Sequence, residues 1–402
     1  MKHWFRAAVQ AVPHRHRASE QLLTANAIPK HSERNPGIDL LRGLSILLVV
    51  VHHVGLRIPL RSGVLATFLP KWFLNALIYN GYEAVFVFFV ISGFLITTNT
   101  LHRWGSLAAI DARSFYARRA GRILPTLLLL VAILSLLHLA GAKDYLISHA
   151  NQSLPRTIIS ALGLHLNWYE GRTGWLPGNW DVLWSLSIEE VFYLAFPFVC
   201  LGLRRDRVLV PVLVLLALSL PVSRAALSSN PIWQEKAYLP GMAAIATGVL
   251  AALGAARYPL TNAVAARLLA AVGTLGLVAV LCFEGSLWSI LGNGTLLVLT
   301  FSTALLVMVF HAQAINQVVA PFRGTGWLRS FGRLSYEIYL SHMFVVWPVI
   351  QSFKAMGARS WYGIVWYVPA VALSWALGWL VARTISGPAE RFLRRRTMAP
   401  EP

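Results

Sequence analysis

Long apolar runs closed by basic residues alternate with short polar connections from residue 38 almost to the end of the 402-residue chain. Ten of these runs approach the ~20 residues that an α-helix needs to cross a hydrocarbon layer. They lie at about 38–57, 81–99, 121–140, 183–202, 208–224, 236–253, 266–283, 287–310, 331–351 and 362–384. A helix satisfies its backbone polar groups internally, which lipid requires. The pattern therefore predicts an all-α, polytopic membrane bundle of about ten transmembrane helices occupying residues 36–386. Residues 1–35 and 387–402 are polar and basic and are expected to be weakly ordered arms. The long connection 141–182 carries a further apolar stretch, 154–168, too short and too polar for a span, which predicts a re-entrant or interfacial helix. Its Trp and Tyr residues between 168 and 184 suit an interfacial belt.

Composition sharpens this picture. Hydrophobic residues make up 56% of the chain and charged residues 13%, with a mean hydropathy of +0.59, against about 25% charged in soluble domains. A net charge of +19 would suit nucleic-acid binding if it formed one basic face. Here Arg and Lys mark the ends of the apolar runs instead, so no nucleic-acid partner is expected. If the residues before 43 lie on one side and the runs alternate, 25 of the 35 Lys and Arg residues fall on that side. That bias places both termini in the cytoplasm, with the basic arms available to anionic lipid. No cleavable signal peptide is evident, and 38–56 is expected to serve as an uncleaved first span. Cys200 and Cys282 fall near opposite faces in this topology, so no disulfide is expected. No metal site is expected.

Arg42 and His53 carry the clearest chemical signal. Eleven residues turn a helix by about 1,100°, three turns plus roughly 20°, so both side chains share one face, separated by roughly 16 Å along the axis. Ionisable groups are costly at membrane depth and mark functional sites. A mid-membrane His53 can be a packing residue, a proton relay or a general base. Glu189, about 9 Å below the outer boundary of the fourth span, comes to a similar depth and is expected to stand beside His53. Its neighbour Glu190 fits interfacial solvation better. His342, roughly 14 Å above Arg333, reaches the same layer and is a second candidate, with a structural hydrogen bond as the alternative. Arg119 and Arg122 are i,i+3 neighbours that can chelate a phosphate, although arginines at a membrane border also serve orientation alone. The small pair Ser92-Gly93 inside 88–96 reads as close helix packing, without chemistry.

Taken together, these stretches resemble the integral-membrane acyltransferase-3 family, the bacterial surface-glycan O-acetyltransferase type. The matching pieces, in the family's order, are Asp39-Leu40-Leu41-Arg42 with ten residues before His53, FFVISGFLIT (88–97), FYARRAGRILP (115–125), WSLSIEEVFYLAFP (184–197) and SYEIYLSH (335–342). Phe86 stands where many members carry Asp, and Val191 where Gln is common after the two glutamates. The separate hydrolase-like domain of longer relatives is not matched, so the acceptor step is expected in the membrane region unless a partner chain helps.

The resemblance implies transfer of an acyl group, usually acetyl, from cytoplasmic acyl-coenzyme A to a hydroxyl of a glycan, lipid-linked sugar or similar acceptor, in the bacterial inner membrane. It carries role expectations onto Arg42, His53, Arg119, Arg122 and Glu189. Acyl-coenzyme A enters as donor substrate, with no permanently bound cofactor. A cationic edge and a His about 16 Å deeper match a donor with phosphates at one end and a thioester at the other. The expected catalytic residues are His53, Glu189 and His342, and the expected donor-binding residues Arg42, Arg119 and Arg122. Ser185, Ser187, Trp184 and Tyr193 are candidates for oxyanion or site support. His53 can act as general base or be acylated itself. The competing reading is a proton-coupled transporter or flippase of a glycan precursor, and a blander one an assembly subunit of a glycan-modifying complex.

Overall fold

The computed structural model describes residues 34–203, 206–316, 324–357 and 359–397; most of the predicted N-terminal arm, 1–33, lies outside them. The described residues are helical throughout, with no strand among them. The principal helices are α1 (Pro36–Gly55), α2 (Gly81–Trp104), α3 (Ala112–Leu139), α4 (Trp184–Gly202), α5 (Asp206–Leu218) and α6 (Tyr238–Arg257). They continue as α7 (Ala263–Leu291), α8 (Thr295–Ile315), α9 (Ser335–Ser341), α10 (Met343–Ala355) and α11 (Tyr367–Val381).

Local chemistry sets several of these boundaries. Pro36 opens α1, where its missing N–H costs nothing. Asp111 caps α3 by accepting from the Arg113 N–H, and Asn262 caps α7 by accepting from Val264 and Ala265. Gly105, at φ 74°, stops α2 in the left-handed conformation that glycine adopts without steric cost.

Among the described residues seven helical stretches are long and apolar enough to cross a membrane, fewer than the ten predicted from hydropathy. Part of the difference is that 263–315, counted once, holds both α7 and α8 around a turn at Gly292–Gly294. The rest lies in α5 and α10, each of 13 residues and so roughly 20 Å long. The helix is interrupted after α5 at Ser219, and another interruption separates α9 from α10 at His342. Hydropathy averages across such breaks. The predicted weakly ordered tail is also corrected in part, because Gly387–Thr397 is helical, continuing from a π-helical turn at Ala382–Ser386. Pro388 sits in its first turn, where proline is tolerated.

Helix α2 is the centre of the bundle, with Phe86, Phe89, Ile91 and Phe94 almost wholly buried. It crosses α6 at backbone contact. A Cβ added at Gly93 would lie 2.0 Å from the Ile245 carbonyl oxygen, and one at Gly248 2.0 Å from that of Val90. The small-residue reading of Gly93 therefore holds. Valine at either glycine is expected to push these helices apart and cost at least the 1–3 kcal/mol typical of overpacking. The unfolding temperature of the purified variants measures it, and an unchanged value would contradict this contact. Helix α7 packs at the other extreme, with Val264, Leu268 and Leu275 exposed along its length.

The connection before α4 folds as two short helices, Leu154–Leu162 and Leu166–Thr173, joined through Leu164 at φ 59°. The Leu164 carbonyl accepts from the Tyr238 hydroxyl at 2.6 Å, which holds this uncommon conformation for a branched residue. The segment does not span, in line with the sequence. A buried ion cluster fastens it to the bundle. Lys236 Nζ donates to Glu170 Oε2 at 2.9 Å and also to Asp181, with the Trp175 ring 4.1 Å from the ammonium.

Candidate active site

Arg42 and His53 lie on α1, and their surroundings differ. At the Arg42 end, α1, α2, α3, α4 and α9 enclose a cavity of about 140 Å³. Arg42 reaches it from α1 and donates to Ser335 Oγ from Nε at 3.2 Å and from Nη2 at 2.8 Å. Arg119 and Arg122 project into the same space from α3. The Arg119 guanidinium lies 4.2 Å from the centre of the Tyr193 ring, a cation–π contact that fixes it at the cavity wall. Neither Arg119 nor Arg122 has a carboxylate within ion-pair distance among the described residues, where the ion pairs are those of Lys236. The three arginines thus converge, as the sequence suggested, and two of them are uncommitted to an ion pair.

The two glutamates of α4 also face this cavity. Glu189 does not meet His53 as expected. Its Oε1 accepts from Ser92 at 2.5 Å and from the Tyr193 hydroxyl one turn along its own helix. Helix α4 turns this residue toward Ser92 of α2 rather than toward α1. Glu190, read as an interfacial group, is instead a cavity residue, and its Oε1 is buried without a hydrogen-bond partner. Ser92 supplies a hydroxyl to the site, so its reading as a packing residue alone is incomplete.

His53 meets His342, their ring centres 5.1 Å apart, and its ionisable neighbours include His52, Arg57 and Lys236. His342 is fully buried. Its Nδ1 lies 2.8 Å from the Tyr339 carbonyl and 3.2 Å from that of Ile338. Carbonyl oxygens only accept, so Nδ1 carries the proton and Nε2 presents a lone pair, which has no partner. His52 is similarly tied, through Nδ1, to the Ile78 carbonyl at 2.8 Å. No ring nitrogen of His53 is hydrogen-bonded among the described residues, and the ring is only half-buried.

Tyr339 joins the two regions. It lines the cavity, its ring centre lies 6.1 Å from that of His342, and its hydroxyl contacts Ser185 Oγ at 2.6 Å and the Val182 carbonyl at 3.0 Å. Ser185 and Tyr193 are thus cavity residues. Ser187 is not, because its hydroxyl accepts from the Leu166 N–H and holds the outer helices in place. Trp184 packs between Tyr82 and Phe89 and does not line the cavity itself. Ser335 and Tyr339 were not singled out in the sequence, although their i, i+4, i+7 spacing with the candidate His342 was a usable signal.

The arrangement combines an arginine-lined mouth, two carboxyl groups and several hydroxyls in one cavity, and a pair of imidazoles in contact. Comparison with known proteins gives it a context. The acyltransferase-3 family, described as an acyltransferase domain, matches residues 35–383. The chain belongs to this family. All of the residues just described fall inside the matched region. Among curated relatives, the protein named "Putative O-acetyltransferase SACOL0978" of Staphylococcus aureus (strain COL) is 29% identical over 176 residues, covering 42% of this chain and 25% of its own length. O-acetyltransferase OatA of Staphylococcus aureus (strain NCTC 8325 / PS 47) is 28% identical over 175 residues, covering 41% and 24%. The chain thus aligns with about a quarter of the length of these relatives. No solved structure matches it. Family membership and seven apolar helices together make this a multi-pass membrane protein.

Proposed function

We propose that this protein is a membrane O-acyltransferase that moves an acyl group, acetyl in the first instance, from acyl-coenzyme A to a hydroxyl of a glycan or glycoconjugate. The observation that carries the reading is the convergence of Arg42, Arg119 and Arg122 on one cavity whose wall, Tyr339, leads to His342 and His53. Ten spans with both termini in the cytoplasm of a bacterial inner membrane would put that cavity at the cytoplasmic edge, where coenzyme A is found. The relatives named as O-acetyltransferases support the reaction class.

The chemistry follows from the geometry. The guanidinium groups hold the donor's phosphates, and the pantetheine arm runs along α1 toward His53. His53, its ring nitrogens free of hydrogen bonds among the described residues, takes the proton of the acceptor hydroxyl as its oxygen attacks the thioester carbonyl. The carbon–sulfur bond then breaks, and the imidazolium returns the proton to the departing thiolate. His342 stands behind His53 with its tautomer fixed by backbone carbonyls and stabilises the charge that His53 acquires. Glu189 acts on the other side, ordering Ser92 and Tyr193 around the cavity. The cavity is small beside a whole coenzyme, so the nucleotide part stays outside and only the arm enters.

Coenzyme A binding to the purified protein in lipid nanodiscs, measured by calorimetry, tests the donor assignment. Arg119→Ala and Arg122→Ala are each expected to weaken binding by about tenfold or more, as loss of a charge-assisted hydrogen bond does. Well-folded wild-type protein that binds no coenzyme A, or variants that bind it as tightly, would overturn the reading.

A further inference from the structure

A second polar cluster lies at the start of α2, away from the three arginines, and its charged members Glu83, Arg224, Glu235 and Glu284 do not line the donor cavity. Glu83, in the first turn of α2, is 5% exposed, and its Oε2 is buried without a hydrogen-bond partner. Glu284 of α7, Glu235 of the helix Pro231–Lys236 and Arg224 of the helix Leu220–Ala225 are the charged groups acting on it. Arg224 is held between two aromatic rings, 5.3 Å from the centre of Tyr82 and 5.1 Å from that of Trp288, and Nη1 donates to Asn293 Oδ1 at 2.7 Å. None of the three carboxylates has a cation within 4.0 Å among the described residues.

A structural ion network would pair these charges. Here three carboxylates gather around one arginine and none forms an ion pair, although burying a charge unpaired is costly. Hydrogen-bond donors from a ligand would complete such a site. The backbone has been shaped around it as well. Helix α7 breaks at Phe283, just before Glu284, and the Asn80 amide donates at 2.6 Å to the Leu281 carbonyl, clipping the break to the start of α2.

The cluster is contiguous with the imidazoles. A Cβ on Gly81 would lie 2.5 Å from the His52 ring, so the turn that carries Tyr82 and Glu83 sits directly on the residue beside His53. Tyr82 stacks on Trp184, whose indole meets the cavity residue Phe89.

We propose that this cluster is the acceptor subsite and that it takes a neutral or amino-bearing saccharide. The proposal rests on the acyltransferase reading and deepens it. Carboxylates accept hydrogen bonds from sugar hydroxyls or an ammonium group, the guanidinium donates to a ring or hydroxyl oxygen, and Trp288 offers a face for the apolar side of a sugar ring. Three carboxylates against one arginine repel an acidic sugar. The charge of this cluster is thus opposite to that of the three arginines, and each substrate is steered to its own site.

Calorimetric titration of the full-length protein in nanodiscs with N-acetylglucosamine, glucosamine and glucuronate tests this, with coenzyme A titrated in parallel. Saturable binding of the neutral or the amino sugar is expected, with glucuronate about tenfold weaker or worse. Glu83→Gln and the more exposed Trp288→Ala are each expected to weaken the sugar by about tenfold while coenzyme A affinity stays unchanged, which also shows that the variants are folded. No saturable sugar binding beside intact coenzyme A binding, equal affinity in wild type and both variants, or preference for glucuronate would each overturn the assignment. Sugar binding without coenzyme A binding would remove the donor reading and leave a saccharide site standing.

Discussion

Alanine at His53 is expected to reduce acyl transfer by about 10²–10⁴-fold, the range of a lost general base, with coenzyme A affinity at the wild-type level. The separation follows from geometry. The arginines that would hold the donor line a cavity that His53 does not border, and His53 makes no ring hydrogen bond whose loss would reach them. What the substitution does remove is the imidazole packed against His342. Single-turnover release of labelled acetyl from acetyl-coenzyme A, beside a coenzyme A binding isotherm, reads both quantities. Undiminished turnover would remove His53 from the chemistry and turn attention to the unpartnered Nε2 of His342. Label that stays on wild-type protein after acid quench, and is absent from the variant, would instead identify an acyl-imidazole.

The second large effect concerns stability. Lys236→Met is expected to destabilise the protein by about 3–5 kcal/mol, because removing one partner of a buried ion cluster leaves uncompensated charge behind. Lys236 is 1% exposed and contacts both Glu170 and Asp181, and Glu170 also accepts from the Leu176 N–H at 3.1 Å. Replacing all three groups with neutral ones of similar shape (Lys236→Met, Glu170→Gln, Asp181→Asn) should recover much of the loss. The pH dependence has a definite sign. Burial holds the Glu170 carboxyl well above the usual carboxylate range, Asp181 pushes the same way and Lys236 opposes them. Without the lysine the raising influences of burial and Asp181 dominate, opposed only by the Leu176 N–H. A carboxyl whose pKa is higher folded than unfolded contributes stability that is lost as pH rises through the folded value. The single variant should therefore recover on acidification, as thermal unfolding at several pH values will show. A variant as stable as wild type at every pH would mean that the cluster is not holding 141–182 in place.

Periodicity along one helix was the most legible part of this molecule. It identified Arg42 and His53 as sharing a face, and Arg119 and Arg122 as neighbours, because those relations depend only on helical geometry. The partner of Glu189 was not legible in the same way. Its depth follows from residue counting, but whether it meets α1 or α2 depends on how α4 is rotated, and that is set by packing. The Lys236 cluster was hidden for a related reason. Its members lie 55 and 66 residues apart, and nothing local marks a lysine at a span entrance as destined for a buried acid rather than for lipid phosphate. Helix breaks at Ser219 and His342 lie inside apolar sequence, so hydropathy passes over them.

The depth of His53 below the arginine-lined mouth has an electrical consequence on the proposed reading. An acyl group travels from donor to acceptor along that path, and the hydrogen it replaces travels back to the coenzyme's sulfur. Two neutral substituents are exchanged, so a complete cycle moves no net charge through the field, where a full elementary charge would feel about 2.3 kcal/mol per 100 mV. Only the transient imidazolium senses the voltage. Such a machine runs on thioester energy alone, and a cell that loses its membrane potential keeps decorating its surface for as long as acyl donor lasts.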